Sequence, residues 1–362
     1  GTTSNSLNIL AKTHIVNTNA TTITTVGGNV LFASNVDDAT DGETIINGYT
    51  QLRYGITINT NEGDITFGGG NSSGSDYALG SSDEAYTEGI RFDGVIALNS
   101  NGGDIALRGK SYARSVQWGF GASGVGFYFF SAAAGTINSG IGTITIDGYS
   151  QTNTSTYSAG FYCMHNLIIS SANTTTDAIR LLCKATGASG EAWGIETEGI
   201  FSVLATGIGG GITVNTSQQL VNNYDAVFRS ETNFLAVSGP IDFKTGQLSG
   251  ASNGYLYLNG HMYLGSKSGS AVTSSSSNIN LQVDRVAYDN FAIPKIGTSG
   301  SVSIQPNSTS FGMDIYSSYF NFNQNSQIMT NFTFGKLGNA RNLYLNSAFT
   351  VAGPINTYGG YV

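Results

Sequence analysis

One strand-like motif, an alternating stretch opened by Asn, Asp, Thr or another small residue, returns along most of the chain. It reads NVLFAS from Asn29, DITFGG from Asp64, DIALRG from Asp104, TITIDG from Thr143, AIRLLC from Ala178, GITVNT from Gly211 and PIDFKT from Pro240. Successive starts are 35, 40, 39, 35, 33 and 29 residues apart. The motif keeps its length while the spacing drifts, so the segments between copies absorb the variation. A chain patterned this way stacks one supersecondary unit on the next and is read as a solenoid.

Two further strands complete each unit. The clearest copy runs Ile90–Gly94, Val95–Ser100 and Asp104–Gly109, followed by a polar loop. Later copies are Val125–Phe130, Thr136–Ser139 and Thr143–Gly148; then Gly160–Met164, Leu167–Ser171 and Ala178–Cys183. Two more run Gly194–Glu198, Ile200–Ala205, Gly211–Thr216 and Asp225–Arg229, Asn233–Val237, Pro240–Thr245. The apolar period is two, and sustained helical periodicity is absent almost everywhere. A sandwich would alternate strand direction through hairpin turns such as Asn-Gly. Here the junctions are Gly or Ser corners, which predicts an all-β parallel β-helix (β-solenoid). It has three short strands per coil of about 29–40 residues. About nine coils, each rising roughly 4.8 Å, give a rod of roughly 40–50 Å. Pairs such as Ile144 and Ile146, or Ile212 and Val214, are expected to point inward, with the intervening Thr, Asn and Asp facing water.

Residues 1–246 hold the regular coils; 247–362 read as a continuation with irregular coils, carrying strands at Tyr255–Leu258, Asn278–Val283, Ser301–Gln305 and Asn342–Asn346. VSGPI at Val237–Ile241 returns as VAGPI at Val351–Ile355, 114 residues on, read as three units of about 38. The Gly-Pro pair marks a corner, since proline lacks an amide donor and belongs at a strand start. A competing 20-residue frame aligns Cys163, Cys183 and Val203, but residues 121–127 and 141–147 show no matching strand in it. The longer unit places the two cysteines on different sheets. They either pair in an oxidising compartment or stand as two buried thiols.

Charged residues make up 10% of the chain and the formal net charge is −8. That balance, without a basic run, gives no electrostatic footprint for nucleic acid or an anionic membrane. No apolar run approaches the length of a membrane-spanning helix. The chain opens at Gly1 in strand-like sequence, and we read it as a mature or proteolysed piece of a longer protein.

Motifs with chemical content are few. GFGASG at Gly119–Gly124 precedes a strand where a phosphate loop needs a helix, and GNSSG at Gly70–Gly74 is unsurprising in a chain rich in Gly and Ser. His14, His165 and His261 lie far apart, without ligands at zinc spacing. Asp37, Asp38, Asp41 and Glu43 put four carboxylates around Gly42 and are candidate calcium ligands, against the reading of a solvated acidic loop; Asp83, Glu84 and Glu88 form a looser set. No other cofactor is expected. The aromatic strand Phe127 to Phe130, with Phe161 and Tyr162, alternates faces. Phe127, Phe129 and Tyr162 are therefore candidate ligand-binding residues for sugars or another chain, with burial under the long loops as the alternative. A polysaccharide lyase or glycosidase would show carboxylates at equivalent sites of adjacent coils. Asp64, Asp104 and Asp147 come nearest, but the first two open their strands and the third lies near the end of its own.

The C-terminal blocks SVSIQPNSTSF (Ser301–Phe311), FTFGK (Phe332–Lys336) and FTVAGPINTYGG (Phe349–Gly360) resemble, in content and order, a repeat block of giant, repeat-rich surface adhesins of Bacteroidota. The upstream GDITF and GGDIALRG units are similar to the wider filamentous-haemagglutinin-like group. The resemblance implies a right-handed β-helix, secretion to the extracellular space or bacterial cell surface, and a long non-catalytic adhesive stalk. The implied partners are further repeats of the same parent chain, with glycans or other cell-surface molecules contacted through loops. Two alternatives stand beside it: a self-assembling extracellular filament or sheath subunit, and a β-helix polysaccharide lyase or glycosidase.

Overall fold

The computed structural model describes residues 5–36, 48–70, 72–81, 87–112, 124–131, 133–151, 157–186, 191–218, 224–247, 254–289, 292–322 and 326–362. Three stacks of strands wind around one core as a right-handed parallel β-helix. The first and second strands of the units build two nine-stranded sheets. The third strands build a thirteen-stranded sheet in which twelve successive rungs run from Leu7–Leu10 to Ile355–Tyr358. At about 4.8 Å per rung, this sheet is about 50 Å long.

The register of the third sheet reproduces the sequence spacing. Val30 pairs with Ile65, Ile65 with Ile105, Ile105 with Ile144, and Ile144 with Ile179. Ile179 then pairs with Ile212, and Ile212 with Ile241. These steps are 35, 40, 39, 35, 33 and 29 residues, so strands of fixed length are joined by connections of variable length. Beyond Ile241 the partners are Ile279, Val302, Phe332 and Ile355, at steps of 38, 23, 30 and 23. The 114 residues between the two GPI corners are thus four coils, not three units of 38. Shorter connections let an extra coil into the same length of chain. Both corners behave as expected of a strand-opening proline: the Pro240 and Pro354 carbonyls accept the amides of Ile212 and Phe332 one rung below.

Alternation decides what fills the core. Ile105, Leu107, Ile144, Ile146, Ile179, Leu181, Ile212 and Val214 are buried, while Thr145, Asp147 and Thr213 between them remain partly exposed. Phenylalanines form a continuous line of rings: Phe32 to Phe67, then Phe92, Phe127, Phe161, Phe201, Phe234 and Phe243. Successive centroids lie 4.6–6.1 Å apart. The line moves from the third sheet through the first and second and back, so each ring packs on a neighbour above and below.

Corners are held by side chains that repeat with the coil. Between the second and third strands, Ser100 and Ser139 donate to the carbonyls of Gly103 and Gly142 at 2.5 and 2.6 Å, and Thr60 donates to Gly63 in the same way. At the start of the third strand the ladder is acidic or amidic. The Asp64 amide donates to Asn29 Oδ1 (2.9 Å), the Asp104 amide to Asp64 Oδ1 (2.8 Å), and the Thr143 amide to Asp104 Oδ1 (2.7 Å). Asp64 and Asp104 are therefore spoken for as acceptors of the next coil's backbone, which accounts for their spacing without chemistry.

Where the third sheet gives way to the first, strands such as Ile144–Ser150 and Tyr157–Cys163 extend past the core and cross with their backbones in contact. A Cβ on Gly148 would lie 2.1 Å from the Gly160 carbonyl oxygen, and one on Gly160 would lie 2.4 Å from the Lys184 amide nitrogen. Only glycine fits where two main chains approach so closely.

Candidate functional site

The three outward faces differ in chemistry. Along the second sheet the outward column reads Thr22, Thr57, Ala97, Thr136, Ile168, Ser202 and Asn233, and ends on Tyr263 and Lys295, where Lys267 and Lys295 lie over the Tyr263 ring. In the third sheet it reads Thr66, Ala106, Thr145, Arg180, Thr213, Asp242, Asn280, Ser303 and Thr333. Both are largely hydroxyls and amides that satisfy themselves along the rod, as when Asn99 Nδ2 donates to Asn59 Oδ1 at 3.1 Å. In the first sheet the column is Gln51, Arg91, Tyr128, Tyr162, Glu196, Val227 and Tyr257. Charge and aromatic surface gather there.

Arg91 is the hub of this face. Its Nε lies 2.6 Å from Asp93 Oδ1 and its Nη1 3.3 Å from Glu88 Oε1. The guanidinium also sits over the rings of Tyr128 (5.2 Å) and Phe130 (5.6 Å). Gln51 Nε2 donates to the second oxygen of Asp93 at 2.7 Å. Tyr128 and Tyr162 stack at 5.2 Å with 4° between planes, and the Tyr162 hydroxyl donates to Glu198 at 2.7 Å. Farther along, Arg229 Nε meets Glu196 Oε1 at 2.6 Å. Every carboxylate named here has a hydrogen-bonding donor.

Burial, opposed by Arg91, pushes Glu88 up to about 7 from an ordinary 4.5. Below the ordinary value both folded and unfolded chains carry the proton. Between 4.5 and 7 only the folded chain keeps it, so stability falls as pH rises through this window. Glu88→Gln cannot ionise and is expected to remove up to about 3 kcal/mol of that decline. Urea unfolding of both proteins on either side of the window checks this. An equal fall in the two would show that Glu88 does not carry it.

The aromatic candidates occupy different environments from those a binding platform needs. Phe127 and Phe129 point into the core and expose no surface, so they offer no face to a ligand. Tyr162 does lie on the outer face, but with Val125, Tyr128 and Ala159 it forms a second buried cluster. Period two assigns the two sides correctly; it carries no information about what covers the outer one. Cys163 lies in the first sheet and Cys183 in the third; both are free, buried thiols, and the alternative of a disulfide is set aside. Val203, the third member of the 20-residue frame, sits in the second sheet. Burial raises both thiols well above their ordinary range, which makes them inert as nucleophiles.

The calcium candidates Asp37, Asp38, Asp41 and Glu43 lie outside the described residues, as do Asp83 and Glu84. Among the described residues no group of three His, Cys, Asp or Glu is placed to hold a metal. No described helix is long and apolar enough to cross a membrane. The Arg91 cluster itself escapes a search for repeated carboxylates, because the column mixes Gln, Arg, Tyr and Glu and no carboxylate recurs in it at the coil spacing. Comparison with protein-family models, with curated proteins and with solved structures returns no match for this chain.

Proposed function

We propose that the chain is a non-catalytic structural segment of a secreted bacterial surface adhesin, a stiff spacer that holds binding surfaces away from the cell. The observation that carries this reading is the unbroken ladder of twelve rungs beneath two faces of Thr, Ser and Asn. Hydroxyl and amide side chains predominate on these faces, with single charges such as Arg180 and Asp242 set among them. The likeness of Ser301–Gly360 to adhesin repeat blocks supports the same assignment. Contact with glycans or other surface molecules is expected where the first sheet's outer face is open, at the half-buried Tyr224, Tyr255 and Tyr257, rather than at the buried Tyr128 and Tyr162.

Antibody raised against this chain is expected to label intact, unpermeabilised cells of the source organism. Mass spectrometry of the labelled species is expected to return a parent far heavier than 37.8 kDa. Labelling that needs lysis would overturn surface display. A native species near the mass of this chain would overturn the stalk in favour of a filament or sheath subunit.

A further inference from the structure

The first sheet carries a second aromatic and basic cluster some rungs beyond Arg91. Tyr224 precedes the strand Ala226–Phe228, and Tyr255 and Tyr257 lie on the next strand, Tyr255–Leu258. Tyr224 meets Tyr255 edge-on at 4.7 Å and Tyr257 at 4.8 Å with a 42° tilt, so the three rings form an angled cluster. All three are half-buried, unlike Tyr128 and Tyr162. The Tyr257 hydroxyl donates to Asp289 at 2.5 Å; that bond is the main reason its pKa is pushed up to about 12, and it fixes the ring in place. In register with Tyr255 stands Arg285, its guanidinium 5.9 Å from the Tyr255 ring.

Arg285 differs from the other arginines of this face. Arg91 and Arg229 have carboxylate partners, whereas among the described residues no carboxylate pairs with Arg285 and its buried Nε makes no hydrogen bond. Its Nε packs against Gly312, so an incoming planar anion would be taken by the outer edge of the guanidinium, the two Nη groups. Ring faces beside it suit the apolar face of a pyranose, which stacks on tyrosine while its hydroxyls stay in water. We propose that Tyr224, Tyr255, Tyr257 and Arg285 form a binding site for a carboxylate-bearing sugar, with the rings taking the sugar face and Arg285 its carboxylate. The proposal rests on the adhesive reading above and gives it a ligand class.

Calorimetric titration of the chain with 3′-sialyllactose, a glucuronate-containing tetrasaccharide and neutral lactose tests it. At least one acidic sugar is expected to bind ten-fold or more tightly than lactose. Arg285→Gln is expected to cost that acidic sugar at least ten-fold while leaving lactose unchanged, and Tyr257→Ala to weaken both. Asp289→Asn, which loosens Tyr257 without removing the ring, guards against a folding defect and is expected to have a smaller effect in the same direction. The site is overturned if neither acidic sugar binds, if acidic and neutral sugars bind alike, or if Arg285→Gln binds the acidic sugar as the parent does. None of those results touches surface labelling or parent mass, so the stalk stands or falls separately.

Discussion

Replacing Gly148 by valine is expected to melt the coils around it. The new Cβ would fall 2.1 Å from the Gly160 carbonyl oxygen and 2.8 Å from its carbon, and both belong to backbone that cannot rotate aside. Relief requires the strands Ile144–Ser150 and Tyr157–Cys163 to part, which breaks rungs to coils on either side. The penalty should exceed about 3 kcal/mol, the upper end of ordinary overpacking. Coils contact mainly their neighbours, so the damage should be local rather than global. Hydrogen exchange is the appropriate measurement: amides of these strands are expected to lose protection while those of Ile279–Gln282 keep theirs. Unchanged protection in both would refute the close crossing of the two sheets.

Phe127→Ala is the second large effect. Its ring stacks on Phe161 at 5.2 Å with 5° between planes and meets Phe92 edge-on at 5.6 Å, with no exposed surface. Truncation leaves a gap in the line of rings and is expected to cost about 3–5 kcal/mol. Phe130, three residues on, 39% exposed and in contact with Arg91 and Tyr128, should cost less as alanine, about 1 kcal/mol. Thermal unfolding of the two variants separates the readings cleanly. A binding role for Phe127 would predict intact stability and lost affinity; a core role predicts the reverse.

The contrast shows where the sequence was informative. Third strands were legible because an inward pair such as Ile144 and Ile146 recurs with a corner residue ahead of it, and both follow from stacking like on like. The strand-opening residues Asp64 and Asp104 were legible as turn residues for the same reason. Strands such as Pro294–Gly297 and Ile315–Tyr316 were not read, since the 23- and 30-residue coils there leave little polar loop to mark the boundary, and Met262–Gly265 was not read although the polar stretch Ser266–Asn278 follows it. The Arg91 and Arg285 clusters were hidden for a different reason. Each sets one arginine among tyrosines from several coils, and a charge that occurs once has no periodicity to betray it.

The direction of the hydrogen bonds has a mechanical consequence. Rungs are bonded along the rod axis, so tension applied between the two ends loads the bonds of the terminal coil first and opens them in sequence, as a zip opens. Each coil released frees 23 to 40 residues, or about 80–130 Å of extended chain at about 3.4 Å per residue. A rod built this way yields in small instalments when pulled from its ends, dissipating a sudden load coil by coil.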